Sequence, residues 1–168
     1  MMFDKKLLAA AERILAACRA RGLKVATAES CTGGLVAALL TEIPGSSDVV
    51  DRAFVTYSND AKEAMLGVPV RTLDRYGAVS RQTASAMAHG ALAESDADIA
   101  VAITGIAGPG GGTAKKPVGL VHIYALARDG RKVRREKKFG RIGRAKIRMR
   151  SVAEAAAMLE LLASGGRI

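Results

Sequence analysis

Apolar residues recur at helical spacing from the start of the chain. Leu7, Leu8, Ala11, Ile14, Leu15 and Cys18 follow Asp4, a residue able to cap a helix, and Gly22 stands where that helix would stop. Val25 to Ala28 reads as a short strand. The Gly33-Gly34 turn then leads straight into Leu35-Val36-Ala37-Ala38-Leu39-Leu40, a buried helix that ends before Pro44-Gly45. A second strand is predicted over Val49 to Tyr57. After it, Ser58 or Asn59 can cap a helix running through Lys62 toward Leu66 and stopped by Gly67 and Pro69. A turn of helix around Leu73 to Tyr76 leads through Gly77 to Ser80, which caps a helix reaching about Ala93.

Ile99 to Ile103 is apolar on both faces, the signature of a central parallel strand, and ends at Thr104 beside a glycine-rich loop from Gly105 to Gly119. Leu120 to Ala127 is a fourth strand, Arg128-Asp129-Gly130 a hairpin turn, and Arg131 to Phe139 a mostly charged strand for a sheet edge. The last helix carries Ala145, Met149, Val152, Ala156 and Leu159 on one face, and Ser164-Gly165-Gly166 is expected to fray. Helices alternate with strands first and the antiparallel hairpin comes late. The expected fold is therefore an α/β, three-layer α/β/α sandwich around a mixed, mostly parallel sheet. Ligands in such sheets sit at the carboxyl ends of the strands, where Ser30, Tyr57 and Thr104 fall.

With 168 residues the chain is expected to form one domain over 1–168, large enough for a sizeable core. Apolar residues make up 49% and aromatic residues 4%, with no Trp, so that core must be built of Ala, Leu, Val and Ile. Glu12 and Arg13 interrupt the opening apolar run before a signal sequence is complete, and no stretch could span a membrane. Cys18 and Cys31 have neither metal-ligand nor redox spacing, and a reducing cytoplasm is the simplest reading. The net charge of +10 raises the question of nucleic acid. Much of the charge, however, lies between Arg128 and Arg150 with no aromatic stacking platforms interleaved, and a charged sheet edge accounts for most of it.

A serine at a sharp strand-to-helix junction exposes its hydroxyl, and the backbone N–H groups that follow can stabilise an oxyanion. Ser30 is such a residue, with Gly33 and Gly34 letting a ligand approach the backbone closely. On spacing alone, Ser30 or Thr32 could equally cap the helix, and the helix start could be an anion site. Cys31 is a rival nucleophile. His89 and His122 lie in a helix pattern and an apolar strand, so a lysine is the alternative base, provided that burial and its helix's positive end keep it neutral. Lys62 meets the second condition, though a lysine there can also be simply solvated. The loop at Gly108-Pro109-Gly110-Gly111-Gly112 matches neither a P-loop nor a dinucleotide fingerprint, and reads as a cradle for a single phosphate or as a lid. Arg144, opening the last helix, could reach a bound phosphate.

These motifs occur in order. Thr27-Ala28-Glu29-Ser30-Cys31-Thr32-Gly33-Gly34 is followed by Phe54-Val55-Thr56-Tyr57-Ser58-Asn59 with Lys62, then Gly77-Ala78-Val79-Ser80, Ile103-Thr104-Gly105-Ile106-Ala107-Gly108-Pro109 and Lys116-Pro117-Val118-Gly119. The series resembles the carboxy-terminal domain of the competence/damage-inducible CinA family over about residues 5 to 163. Members with this domain alone are nicotinamide mononucleotide deamidases, which release ammonia and leave nicotinic acid mononucleotide. The resemblance implies that Ser30 is the nucleophile and Lys62 the general base, with Tyr57 supporting the pair. It further implies that Thr104 and an arginine, here Arg144, complete the site; Thr32, Gly33, Gly34 and Gly105 are expected to bind the substrate with them, with no metal or cofactor and no nucleic-acid partner expected. Where the family often has Gly-Asp-Arg before the last helix, this chain has Gly140-Arg141-Ile142-Gly143-Arg144, so Arg141 is an alternative to Arg144. Longer relatives carry a further amino-terminal domain, and this chain is expected to act alone or as a homo-oligomer. The rival expectation is a non-catalytic nucleotide- or DNA-binding module serving DNA uptake or the damage response.

Overall fold

Five strands form one sheet: Val25–Glu29 (β1), Val50–Val55 (β2), Ile99–Gly105 (β3), Leu120–Ala127 (β4) and Lys132–Lys138 (β5), in the order β2-β1-β3-β4-β5. The computed structural model describes residues 2–166. β1 runs parallel to β2 and to β3, whereas β4 is antiparallel to β3 and β5 to β4. This parallel core with an antiparallel end is the mixed sheet expected from the pattern. Burial follows position. β1 and β4 are buried at every residue and β3 at all but Gly105, while β5 alternates exposed and half-buried side chains as an edge strand should.

Helices cover both faces. Lys5–Ala20 (α1), Leu35–Thr41 (α2) and Arg144–Ala163 (α6) enclose one core with Ile14, Leu15, Leu39, Leu40, Ile147 and Leu159. Asn59–Leu66 (α3), Val70–Tyr76 (α4) and Arg81–Ala93 (α5) enclose the other with Leu66, Met87, Ala88 and the inward Ala26, Ala28, Ala100 and Ala102 of β1 and β3. Alanines on those central strands let α5 sit close to the sheet. Asp4, Ser58 and Ser80 each accept a backbone N–H as N-caps, so the choice between Ser58 and Asn59 falls on Ser58.

Several boundaries differ from expectation for physical reasons. β2 stops at Val55, short of Tyr57, because the Thr56 N–H makes its bond to the Glu29 carbonyl (2.9 Å) as the chain leaves the sheet. α4 begins at Val70 instead of Leu73, because Pro69, whose ring fixes φ, starts it: the Thr72 N–H donates to the Pro69 carbonyl. The expected fraying is replaced by a closed end. The Gly165 and Gly166 N–H groups bond back to Leu162 and Leu161, and the Arg21 guanidinium donates to the Leu162 and Ala163 carbonyls.

Candidate active site

The carboxyl ends of β1 and β3 and the start of α3 converge on Ser30. Its N–H donates to the Ile103 carbonyl (3.0 Å), which anchors the residue after β1 to the central strand. Ser58 caps α3 and thereby places Lys62 one turn into that helix, 1% exposed. Its Nζ lies 3.1 Å from Ser30 Oγ, 2.8 Å from the Thr56 carbonyl and 3.5 Å from the Ser58 carbonyl. Burial pushes the Lys62 ammonium below the ordinary lysine range, opposed only by a smaller influence from the Cys31 sulfur. The geometry suits the neutral amine: two carbonyls accept its two N–H bonds, and the lone pair is left for the Ser30 hydroxyl.

The Cys31 thiol is pushed up to about 11, mainly by burial. It is therefore protonated near neutral pH and a poor nucleophile. Its charge influence on Lys62 is correspondingly weak.

Neither Ser30 nor Thr32 caps α2. Glu29, fully buried, turns its carboxylate forward to accept the N–H groups of Gly34 (3.1 Å), Val36 (3.1 Å) and Ala37 (2.9 Å). This satisfies the helix start with a charge of the sign its dipole favours, and it releases the Ser30 hydroxyl for Lys62. It also rules out the reading of this helix start as an anion site, since a protein carboxylate occupies it. The Gly33 N–H is likewise taken, by the Ser30 carbonyl (3.0 Å). Gly33 and Gly34 therefore matter for conformation, with φ of 60° and 93° that side-chain-bearing residues rarely adopt. The Cys31 and Thr32 N–H groups make no backbone or side-chain hydrogen bond to another of the described residues. Nothing in the hydrophobic pattern pointed to Glu29. The available signal was an acidic residue just ahead of a helix start that has no side-chain cap of its own.

Arg148 of α6 holds the turn from its other side, donating from Nε to the Cys31 carbonyl (3.1 Å) and from Nη2 to the Thr32 carbonyl (2.8 Å). Sequence reasoning passed over this residue, which lies among the charges of the last helix. Arg144 reaches the Gly108 carbonyl (3.0 Å) and the Tyr57 hydroxyl (2.9 Å), joining the glycine loop to the end of β2. Tyr57, expected beside Ser30 and Lys62, is 59% exposed, and among the described residues its hydroxyl bonds to Arg144. Arg141 makes no such link among the described residues, and lines a small cavity with Ala107, Pro109 and Arg144.

Thr104 is buried and donates to the Ala78 carbonyl (2.7 Å), tying the connection before α5 to the end of β3. At Gly105 an added Cβ would lie 2.7 Å from Val121 Cγ2, so its smallness serves the β3–β4 contact. The glycine loop is pinned at Gly108 by Arg144, and at Lys116 by the bond of its Nζ to the Tyr76 carbonyl. His89 bonds its own helix at Ser85 and His122 faces Glu136, so neither touches Ser30. Among the described residues there is no group of three or more His, Cys, Asp or Glu able to hold a metal ion.

The family model described as "CinA C-terminal domain" matches residues 7–163. A nicotinamide-nucleotide amidohydrolase PncC from Enterobacter agglomerans is 50% identical over 138 residues, 82% of this chain and 84% of that protein. A CinA-like protein from Akkermansia muciniphila is 58% identical over 64% of this chain, and the match takes in 26% of that longer protein. Several of the curated relatives are longer in this way, the chain spanning about 25% to 30% of their length. The crystal structure of competence/damage inducible protein CihA from Agrobacterium tumefaciens superposes with a TM-score of 0.94 at 58% identity, covering 95% of this chain and 97% of that one.

Proposed function

The chain belongs to the CinA C-terminal domain family, and on that premise we propose that it is an amidohydrolase converting nicotinamide mononucleotide and water to nicotinic acid mononucleotide and ammonia. Relatives of matching length bearing the amidohydrolase name support the substrate. The single observation that carries the chemistry is the buried Lys62 Nζ at 3.1 Å from Ser30 Oγ.

In the proposed reaction, neutral Lys62 takes the Ser30 proton as Oγ attacks the carboxamide carbon, and negative charge moves to the carboxamide oxygen. The Thr32 N–H, with that of Cys31, is the donor left free by Glu29 to hold this oxyanion. Collapse of the adduct breaks the C–N bond, and the Lys62 ammonium gives its proton to the departing ammonia. Water then attacks the Ser30 ester, with Lys62 again taking and returning the proton, and the carboxylate product leaves. Arg144, between Tyr57 and the Gly108 carbonyl, is placed to meet the nucleotide's phosphate. We place the reaction in the cytoplasm, a reading supported by two buried cysteines that remain thiols. No helix among the described residues is long and apolar enough to cross a membrane.

The test is ammonia release from nicotinamide mononucleotide by the purified protein and its Ser30→Ala variant. Release by the first and not by the second is expected. Undiminished release by Ser30→Ala would overturn the mechanism, and no release by either would overturn the substrate.

A further inference from the structure

The two faces of the edge strand β5 treat their positive charge differently. On the α6 side, Arg135 and Lys137 both pair with Glu154, at 2.6 Å and 2.8 Å. On the opposite side lie Arg134, Glu136 and Lys138, in register with Tyr124, His122 and Leu120 of β4. Here Arg134 has no ion-pair partner among the described residues, and the single carboxylate, Glu136, is shared between His122 (3.8 Å) and Lys138 (3.6 Å). α5 packs over β3 and β4 but leaves this face of β5 open, and a cleft runs between them.

Three contiguous depressions of about 230, 410 and 400 Å³ make up the cleft, and Arg81 of α5 lines all three. Lys115, Lys116, Arg134 and Lys138 add to its cationic lining, and Arg135, paired with Glu154, borders one end. Arg81 and Lys116 come from a helix and a loop, so protecting the sheet edge from pairing does not explain them. Burial disfavours protonation of His122 at the cleft floor, Glu136 opposes this, and Lys116, Arg81 and Lys138 are near enough to the ring to add to the effect of burial. Cations from three elements converging on a concave surface leave an uncompensated field that a multivalent anion would neutralise.

We infer that the cleft between α5 and β5 is a second ligand site, distinct from the Ser30 turn, that takes the oligophosphate group of a small nucleotide. Arg81, Arg134 and Lys138 meet the phosphates, and Glu136 and Gln82 offer acceptors and donors to a ribose or base. A nucleic-acid strand fits less well. It needs a row of exposed rings, whereas Tyr124 is 7% exposed, the Tyr76 ring already carries Arg75 at 5.4 Å, and Glu136 stands in the path. The cleft adjoins the catalytic region: His122 is the register partner of Thr104, whose hydroxyl holds Ala78 in the connection between α4 and α5.

Calorimetric titration of the full chain with inorganic tripolyphosphate and with ATP, at two salt concentrations, tests the site. Saturable binding is expected, weakened about tenfold or more by Arg134→Glu and by Lys138→Glu. Lys6→Glu, which changes the net charge equally on a distant exposed helix, should leave binding within about twofold. Binding should persist in Ser30→Ala and Arg144→Ala, so its outcome is independent of whether the proposed deamidase reaction is correct. ATP binding more tightly than tripolyphosphate assigns a nucleoside; equal affinity assigns the phosphates alone. The inference is overturned by no saturable binding, by equal loss in Lys6→Glu, by loss in Arg144→Ala instead of Arg134→Glu, or by single-stranded DNA outcompeting both probes.

Discussion

Lys62 Nζ stands 3.1 Å from Ser30 Oγ, although the two side chains come from different elements and no carboxylate joins them. The pair is brought together by backbone: the Thr56 and Ser58 carbonyls hold the amine while the Ile103 carbonyl holds the Ser30 N–H. An amine held by carbonyls, and not by a carboxylate, is free to be neutral.

Replacing the base therefore separates charge from basicity. Lys62→Ala is expected to lower kcat/KM for ammonia release by about 10³-fold. Lys62→Arg should not restore it, because a guanidinium stays protonated. Recovery by arginine would mean that Lys62 acts only as a positive charge.

The lowered proton affinity of Lys62 sets a pH dependence. Activity should rise with pH to a plateau, with an apparent pKa below the ordinary lysine value of 10.5. For stability, the folded group loses its proton before the unfolded one. Between its folded pKa and 10.5 the unfolded chain thus binds the extra proton, and stability increases with pH. Denaturant unfolding of the wild type and Lys62→Met across alkaline pH should show that increase in the wild type alone.

Glu29→Gln keeps the shape of the α2 cap but offers one acceptor oxygen where two now serve three N–H groups. A loss of about 1–3 kcal/mol in unfolding free energy is expected. If Glu29 positions the nucleophile turn, kcat should fall further than KM rises. Stability loss with an unchanged kcat would confine Glu29 to capping.

Gly90→Ala should act on the site from a distance. A Cβ on Gly90 would enter the space of the Leu66 carbonyl oxygen, where α5 crosses the end of α3. Overpacking of about 1–3 kcal/mol is expected. Because α3 carries Lys62, activity should drop with stability, as thermal melting and ammonia release measured together would show.

Cys31→Ala should leave ammonia release within about threefold of the wild type, since the thiol, pushed up to about 11, is protonated at neutral pH. Alkylation by iodoacetamide at pH 7 should be correspondingly slow, and faster above pH 10. Abolished activity in this variant would move the nucleophile from Ser30 to its neighbour.

Much of the architecture was written into local patterns. The double-faced apolar run at Ile99–Ile103 marked a central strand, the run of charges in β5 an edge, and Asp4, Ser58 and Ser80 their helix starts. These readings succeed because burial on a strand and N–H satisfaction at a helix start depend on residues a few positions apart. The ordered motifs around Ser30 and Lys62 likewise determined the family. Periodicity and spacing alone could not tell a nucleophile from a cap, because both uses place a serine before a helix.

The folded arrangement gives the α2 cap to Glu29 and sets the Ser30 hydroxyl beside Lys62. It also brings Arg148 to grip the turn from 117 positions away, and joins the Tyr57 hydroxyl to Arg144. The reason is physical. Long side chains find their partners by where helices cross the sheet, and a guanidinium or a carboxylate carries no periodic signal of which carbonyl or N–H it will meet.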